Sequence, residues 1–489
     1  ERNPVVDRKT IFGNLKGITY LDIADLVLDI LDKYYDVSNN LRLIIKLSKH
    51  AELRRKCEQT LQRIGSYRIG IMSTYGFTLQ KIVLDYFFEQ KPEYLIENLD
   101  IVLATIKPIA SLECEDWSMS SPETVTFRRG CLKPTAILEG IRTRYFELTK
   151  NLLQLANKDA DRKKVLNATF SLADAPHTEP ISEEVKTLLS NDIAKVIEFL
   201  ITYYDTSANI IKKEIQRFVY GIERLSFKDG FPNVAKLKEK IDQDANYARF
   251  RIFYGNDVDF YPNFDFKAAQ EFRNQKIDEF VQQINETNLT DWFSLFRELW
   301  TNYKQELGFS MYFSIFLRKL AQQKPEIAFK IMETEELSPF LGDLLSGLID
   351  SSEQEKAKRL LIDFSKQETR QLATSQAILA QKDYDDALFK ELYHNLLKTT
   401  DTNVLLRLLQ TIVIHYSKHK NHKEKVTEII NKFTTLNFFS WSFVYHMSKD
   451  YWIDISDENV DAILENLKNC NIIGYEEECI LNVIAEKNP

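Results

Sequence analysis

Glycine is scarce in this sequence, with 14 of 489 residues, whereas average proteins contain about 7% glycine. The glycine-rich phosphate loop of nucleotide hydrolases is absent, as are the dinucleotide-binding glycine motif, the serine-hydrolase nucleophile motif and the His-Glu-x-x-His zinc motif. Because each of these signatures is local in sequence, their absence counts against the corresponding enzyme classes. We therefore expect no catalytic site, no cofactor and no metal site in this chain.

Disulfide patterns and long hydrophobic runs are also missing. The five cysteines are scattered and odd in number, which favours a reducing compartment over a disulfide framework. No run reaches the ~18 apolar residues of a membrane span, and the polar start, 1–9, is unlike a signal peptide. We expect a cytoplasmic protein that does not bind a membrane. Because the first residue is Glu and not Met, we also expect a fragment of a longer or processed chain.

Strand signals are nearly absent, since no Asn-Gly or Asp-Gly turn lies between alternating hydrophobic residues. Helical periodicity is abundant, and the stretch 74–113 shows it best. Apolar residues recur at three- and four-residue spacing over 79–87, and again over 95–106. Pro92 lies between them and suits the first turn of a second helix. Neither helix can bury its apolar face alone, so each requires a neighbouring helix.

Similar helix pairs recur at roughly 35–45 residues, which is the range of helix-pair repeats. We predict an all-α fold, an α-solenoid of degenerate helix-pair repeats similar to tetratricopeptide (TPR) or HEAT repeats, with an irregular aromatic-rich middle segment at 247–266. The expected divisions are an N-terminal array over 1–173, a middle segment over 180–288 and a C-terminal array over 289–489. A proline-bounded linker at 174–179 would separate the first two.

Aromatic residues concentrate near the C-terminus, where rings at consecutive positions cannot all face the core of one helix. Exposed aromatic side chains are common anchors of protein interfaces, although a helix packed on two sides would explain the same composition. We predict that the partner-binding residues lie in this stretch: Phe438, Phe439, Trp441, Tyr445, Tyr451 and Trp452.

Three carboxylates, Asp383, Asp385 and Asp386, are the best candidates for catalysis. Paired carboxylates can perform acid–base chemistry or bind Mg²⁺, and helical α/α enzymes often use them. The first turn of a helix favours the same residues, because the helix dipole is positive there. An α/α helical enzyme using these residues is therefore a second alternative function beside the simpler interpretation of a solvated helix start.

Histidine and arginine clusters suggest two weaker hypotheses. His415, His419 and His422 share a helical face, where imidazoles can bind Zn²⁺ or Cu²⁺, but the lysines around them would repel a metal cation. Arg128 and Arg129 belong to a basic cluster that could contact phosphate groups. The net charge of −8 makes nucleic-acid binding the less favoured interpretation of that cluster.

Two stretches resemble a known family. One is 76–171, a helix pair followed by a long connection with Trp117 and Pro122, after which the helical pattern resumes at Ala136. The other is the aromatic stretch 247–284 with the helix that follows it. Both resemble the C-terminal helical-repeat sensor region of bacterial antiviral STAND-type NTPases. In that family an effector and a P-loop NTPase precede the helical array, which recognises a viral protein and thereby triggers oligomerisation.

The resemblance implies a sensor without a reaction of its own. It would bind a protein partner, such as a phage structural protein, and signal to an NTPase and effector elsewhere in a longer chain. That longer chain could hydrolyse ATP and oligomerise through its other domains. No binding residue is transferred from the family, because ligand surfaces differ among its members. The first alternative is a general helical-repeat scaffold or adaptor, which shares these features and differs in its partner.

Overall fold

The computed structural model describes these parts of the chain: 20–31, 37–121, 124–177, 181–225, 231–254, 265–303, 307–381, 383–417 and 420–487. About 79% of the protein is helical, so the predicted all-α class is confirmed. In the described part, strands form one two-stranded sheet. No helix of these ranges has both the length and the apolar character needed to cross a membrane.

The protein divides into two compact units, Glu1–Ala248 and Arg249–Pro489. The described helices of the first unit are α1 (Tyr20–Leu31), α2 (Val37–Leu47), α3 (Ala51–Gly65), α4 (Ile69–Tyr75), α5 (Thr78–Phe88), α6 (Pro92–Glu97), α7 (Leu99–Ile106), α8 (Ala136–Leu155), α9 (Asp159–Phe170), α10 (Glu183–Tyr203), α11 (Asn209–Glu223) and α12 (Pro232–Gln243). Helix α13 (Ala245–Tyr254) contains the boundary between the units.

The described helices of the second unit are α14 (Phe266–Gln283), α15 (Leu289–Tyr303), α16 (Leu307–Gln323), α17 (Pro325–Met332), α18 (Leu341–Ile349), α19 (Gln354–Ser365), α20 (Gln371–Leu379), α21 (Asp386–Leu396), α22 (Thr402–Ile414), α23 (Lys423–Thr435), α24 (Lys449–Ile453), α25 (Asp457–Leu467) and α26 (Tyr475–Lys487). Short 3₁₀ helices join several of them in both units: Lys107–Ala110, Ser171–Ala173, Tyr204–Thr206, Glu335–Phe340, Glu368–Arg370, Lys420–His422 and Ser442–Met447.

Local sequence explains where several helices begin. The side-chain oxygens of Thr135, Ser182 and Ser456 each accept a hydrogen bond from a backbone N–H in the first turn of α8, α10 and α25. Such caps stabilise a helix by about 0.5–2 kcal/mol. Pro92 and Pro325 occupy the first positions of α6 and α17, where a missing N–H costs nothing. The helix start predicted at Pro92 is therefore confirmed.

In the second unit, helices two apart in sequence pack side by side. Helix α18 contacts α16 and α20, and α20 contacts α22, while α19 contacts α21 and α23 contacts α25. The approach of α18 to α16 is very close, because a Cβ added at Gly347 would lie 2.1 Å from the Arg318 carbonyl oxygen. The apolar faces of these helices are thus covered by neighbours that are near in sequence.

The stretch 114–134, expected to be an irregular connection, contains an antiparallel hairpin. Strand β1 (Glu113–Ser121) pairs with β2 (Thr124–Cys131), with Cys114 opposite Gly130. The sequence signal for the hairpin is weak, because apolar and polar residues alternate only over short runs such as Thr124–Phe127 and no Asn-Gly or Asp-Gly turn joins the strands. The two strands pair through backbone hydrogen bonds, and the side-chain pattern of the sequence does not indicate which segments form them.

Of the predicted linker at 174–179, residues 178 and 179 lie outside the described residues. Helix α10, which follows it, packs onto elements that precede it. Val185 and Leu189 of α10 share a buried cluster with Leu138 of α8 and with Leu112 and Leu132 at the base of the hairpin. The first unit therefore continues through this stretch to Ala248. The three divisions predicted from the sequence differ in this respect from the two units observed.

The aromatic middle segment is helical as far as Tyr254, and 255–264 lie outside the described residues. Phe253 is fully buried, with its ring centroid 5.6 Å from that of Phe313 and 5.1 Å from that of Phe316. Asp265 caps α14 by accepting hydrogen bonds from the backbone N–H groups of its first turn. Phe250, Phe253 and Tyr254, which lie in the second unit, are buried in the core of that unit.

Candidate partner-binding surface

Three of the six predicted partner-binding residues are buried. Trp441, Tyr451 and Trp452 expose 1%, 0% and 4% of their surface. The Trp441 indole N–H donates to the Asn466 side chain at 2.8 Å, and the Tyr451 and Trp452 rings pack edge to face at 5.0 Å. A partner could reach these rings only if the helices around them separated. They are therefore corrected to core residues, in line with the alternative of a segment packed on two sides.

The other three predicted residues, Phe438, Phe439 and Tyr445, are half-buried. Phe438 packs against Phe433 with ring centroids 4.9 Å apart, and Tyr445 packs against Trp452 at 5.6 Å. Phe438 and Tyr445 thus contribute to the core through these contacts and also reach the surface. They can border a partner-binding surface but do not form its centre.

The sequence analysis did not select three aromatic side chains of this region, Phe443, His446 and Tyr475. In the 3₁₀ helix Ser442–Met447, side chains three residues apart lie on the same side, so Phe443 and His446 project together. The His446 ring stacks on Tyr475, the first residue of α26, with centroids 6.3 Å apart and planes at 14°. Packing of the last helix against this 3₁₀ helix therefore assembles rings that are about 30 residues apart in sequence.

Large apolar side chains extend the same region into solvent. Ile472, just before α26, is 80% exposed, and Tyr475, the first residue of that helix, is 68% exposed, so two large apolar side chains lie in solvent within three residues of each other. The sequence signal for them was an Ile-Ile pair followed by Gly474 in the stretch between two helices. We call this region the C-terminal aromatic surface; it consists of Phe443, His446, Ile472, Ile473 and Tyr475.

The carboxylates proposed for catalysis are engaged in structural contacts. Asp385 accepts from the Leu388 N–H at 3.0 Å as the cap of α21, and it pairs with the Lys358 ammonium at 2.8 Å. The hydrogen bond from Lys358 lowers the pKa of Asp385. Asp386 lies 2.7 Å from the Lys390 ammonium, and Lys390 lowers its pKa most strongly. Asp383 is exposed. This arrangement supports the helix-start interpretation.

The predicted histidine cluster is not a metal site in the described residues. His422 is buried with its Nε2 2.6 Å from Asp386, and burial lowers its pKa against the opposing effect of that carboxylate. The His415 ring stacks on Tyr384 at 4.9 Å, and His419 lies outside the described residues. No group of three or more His, Cys, Asp or Glu in the described ranges is placed to hold a metal ion.

The arginines considered for nucleic-acid contact lie on β2 and are exposed. Arg129 is 3.6 Å from the Glu115 carboxylate on the facing strand, and its guanidinium lies 5.3 Å from the Phe127 ring centroid. Part of its charge is therefore compensated by a neighbouring strand. This placement favours a role within the hairpin over contact with a phosphate backbone.

A cleft of about 980 Å³ lies in the first unit between the end of α3, the start of β1 and the 171–177 stretch. Its wall contains the cationic groups of Arg63 and Lys107 and the carboxylates of Glu113 and Asp174. The His177 backbone N–H donates to Glu113 at 2.6 Å, and burial raises the pKa of Asp174. Charges of both signs are mixed in this wall, so the cleft selects no particular ligand charge.

Comparison with known proteins assigns no family, because no family model, no curated protein and no solved structure matches this chain. The function is therefore inferred from the residues and from their geometry.

Proposed function

We propose that this chain is a protein-binding α-solenoid, a sensor region that recognises a partner protein and has no reaction of its own. The observation that carries the proposal is the C-terminal aromatic surface, where large apolar and aromatic side chains are exposed together. Contiguous exposed apolar patches mark interaction sites, whereas single exposed apolar residues are common on any protein surface. Aromatic residues are also enriched among the side chains that dominate binding energy at protein interfaces.

The packing order supports a solenoid of helix pairs. Helices α16, α18, α20 and α22 follow each other in contact, and α19 and α21 form a second layer beside them. In helix-pair repeat proteins each repeat contacts its sequence neighbours, which leaves extended outer faces free for a ligand. A TPR- or HEAT-like repeat is the type that this order most resembles.

The partner is proposed to be a viral protein, with phage structural proteins as the first candidates. The support is the resemblance of 76–171 and 247–284 to the sensor region of antiviral STAND-type NTPases. Binding would favour one state of a larger cytoplasmic assembly, because a ligand shifts an equilibrium by its differential affinity for the two states. The signal would then pass to an NTPase and effector outside this chain.

The test is a binding screen of this chain against phage structural proteins, followed by affinity measurement for any hit. The double variant Ile472→Ala/Tyr475→Ser removes two exposed anchors, and Phe127→Ala/Ile137→Ala removes two exposed apolar side chains of the first unit as a control. We expect about tenfold or more weakening for the first variant and little change for the control, since truncating an interface anchor costs about 1–2 kcal/mol or more.

Equal affinities for the wild type and the Ile472→Ala/Tyr475→Ser variant would remove the C-terminal aromatic surface from the proposal. Binding of a cellular protein by this surface, with no phage protein bound, would favour the scaffold or adaptor alternative.

A further inference from the structure

The negative charge of this protein is concentrated around the C-terminal aromatic surface. The stretch 449–487 contains ten acidic residues and three lysines, which gives it a net charge of −7, whereas the whole chain carries −8. This stretch includes α24, α25 and α26, and it contributes the exposed side chains of Ile472 and Tyr475. The part of the chain that exposes large apolar groups is therefore also its acidic part.

Two carboxylates lie beside the rings of the C-terminal aromatic surface. The Glu476 carboxylate is 3.8 Å from the His446 Nε2. Glu478 is exposed and follows Tyr475 by three residues on α26, so the two side chains are neighbours on the helix surface. Within the described ranges, neither carboxylate is paired with a Lys or Arg side chain. Their charges are therefore available to a partner.

The helix dipole explains only part of this negative charge. The first turn of a helix favours acidic residues, and Glu477 acts there by accepting from the Gly474 N–H at 2.9 Å and from the Ser442 hydroxyl. Glu465 and Glu486, however, lie in the last turns of α25 and α26, where the dipole disfavours a negative charge. The charge of the stretch therefore exceeds what its helix starts require.

This charge distinguishes three candidate occupants of the apolar surface. A second copy of the chain, bound through the same surface, would bring like charges together. A membrane with anionic lipids would be repelled for the same reason. A protein segment with Lys or Arg around apolar side chains is attracted by both features, because its cations can pair with Glu476 and Glu478 and can lie over the exposed Tyr475 ring.

We propose that the C-terminal aromatic surface binds a basic amphipathic segment of a partner protein, with aromatic or leucine side chains on one face and Lys or Arg around them. This proposal rests on the proposed function, since it names the kind of sequence through which the partner is recognised. The apolar face of the segment covers Phe443, Ile472 and Tyr475, and its basic residues lie against Glu476 and Glu478. Complementary charge of this kind increases the rate of association and selects against acidic partners.

The probe is a synthetic helical peptide of about 18 residues, or about five turns, with Leu and Trp on one face and Lys on the other. A second peptide has Glu in place of Lys. A third peptide keeps Lys and has Ser in place of Leu and Trp. Binding of each fluorescently labelled peptide to the whole chain is measured by fluorescence anisotropy at low and at high salt.

Two variants of the chain test the contribution of charge. Glu476→Gln/Glu478→Gln removes two negative charges beside the surface and keeps the shape of the side chains. Glu353→Gln/Glu391→Gln removes the same charge from exposed positions elsewhere in the second unit, so it is the matched control. We expect the first variant to bind the Lys peptide about two- to tenfold more weakly and with less dependence on salt, and the control to bind it like the wild type.

The apolar contribution is tested with Ile472→Ala/Tyr475→Ser, which should weaken binding of the Lys peptide about tenfold or more. The Ser-containing peptide should also bind more weakly than the first peptide. No saturable binding of the Lys peptide, equal binding of the Lys and Glu peptides, or equal loss in the two charge variants overturns the proposal. A dimer in analytical ultracentrifugation, or binding to phosphatidylserine vesicles, that Ile472→Ala/Tyr475→Ser abolishes also overturns it, because a second copy or a membrane would then occupy the surface.

This proposal and the proposed function fail in different ways. A phage protein that loses affinity for Ile472→Ala/Tyr475→Ser but not for Glu476→Gln/Glu478→Gln would support the proposed function and overturn the basic segment. Binding of the Lys peptide as expected, with no phage protein bound in the screen, would support the basic segment and overturn the viral partner.

Discussion

The Arg142 guanidinium donates to the Asp192 carboxylate at 2.6 Å, and both side chains are almost completely buried. Arg142 also donates to the carbonyl oxygens of Ala110 and Leu172. One side chain of α8 thus satisfies groups on two 3₁₀ helices and on α10. This connection holds together the two sides of the stretch that the sequence suggested was a linker.

Removing one partner of this pair should strongly destabilise the first unit. We expect Asp192→Leu to lower the free energy of unfolding by about 3–5 kcal/mol, because an uncompensated charge would remain buried. The double variant Arg142→Met/Asp192→Leu should lose less than Asp192→Leu alone. The control is Arg144→Ala, which breaks an exposed pair with Asp85 and should cost about 0–1 kcal/mol. Urea denaturation provides the measurement, and equal losses for Asp192→Leu and Arg144→Ala would contradict the prediction.

Acidification should destabilise the protein through His422. Burial lowers its pKa below the ordinary value of 6.5, so the unfolded chain takes up the proton first as the pH falls. Stability is therefore complete above about pH 6.5 and decreases as the pH drops from there toward the folded-state pKa. The lowered pKa of Asp386 acts in the same direction at lower pH.

The measurement is the melting temperature between pH 7.5 and 5, compared for the wild type and His422→Gln. The variant should be less stable at neutral pH but show a flatter dependence on pH. His446→Gln alters an exposed histidine and serves as the control, with a slope like that of the wild type. A wild-type slope retained in His422→Gln would show that other groups cause the acid sensitivity.

Asp385 should act as a helix cap and an ion-pair partner, and two substitutions separate these roles. Asp385→Asn keeps a capping oxygen and loses the charge, so we expect a cost of about 0–1 kcal/mol. Asp385→Ala also removes the cap of α21, which should add about 0.5–2 kcal/mol. The free energies of unfolding of the two variants, measured by urea titration, show which substitution destabilises the protein more. If Asp385→Asn were as damaging as Asp385→Ala, the charge and not the cap would be the main contribution.

Two glycines in helices should respond in opposite directions to alanine. Gly347→Ala places a Cβ 2.1 Å from the Arg318 carbonyl oxygen, and we expect a loss of about 1–3 kcal/mol or more from overpacking. Gly140→Ala in α8 meets nothing within 4 Å, so it should gain about 0.5–1 kcal/mol from helix propensity. Thermal melts of the two variants against the wild type test both signs, and a stabilising Gly347→Ala would show that α16 and α18 can separate without cost.

The sequence predicted the region of the candidate site but not which of its residues are exposed. The concentration of rings near 438–452 correctly indicated a dense aromatic region, but Trp441 and Tyr451 face inward and Tyr475 faces outward. Composition shows how many rings a segment has; it does not show which neighbouring helix covers them. The His446–Tyr475 stack depends on the return of α26 to the 3₁₀ helix Ser442–Met447, which no local pattern encodes.

The sequence by itself determined the helical class, because periodic apolar residues and helix-start signals such as Pro92 and Asp385 act within a few residues. The tertiary structure alone decided the pairing of β1 with β2, the continuation of the first unit through 174–179 and the selection of exposed rings. Each of these depends on contacts between residues far apart in the chain, such as Arg142 with Asp192. Local interactions determine whether a segment becomes a helix or a strand. Which of its side chains remain exposed depends on the elements that pack against it.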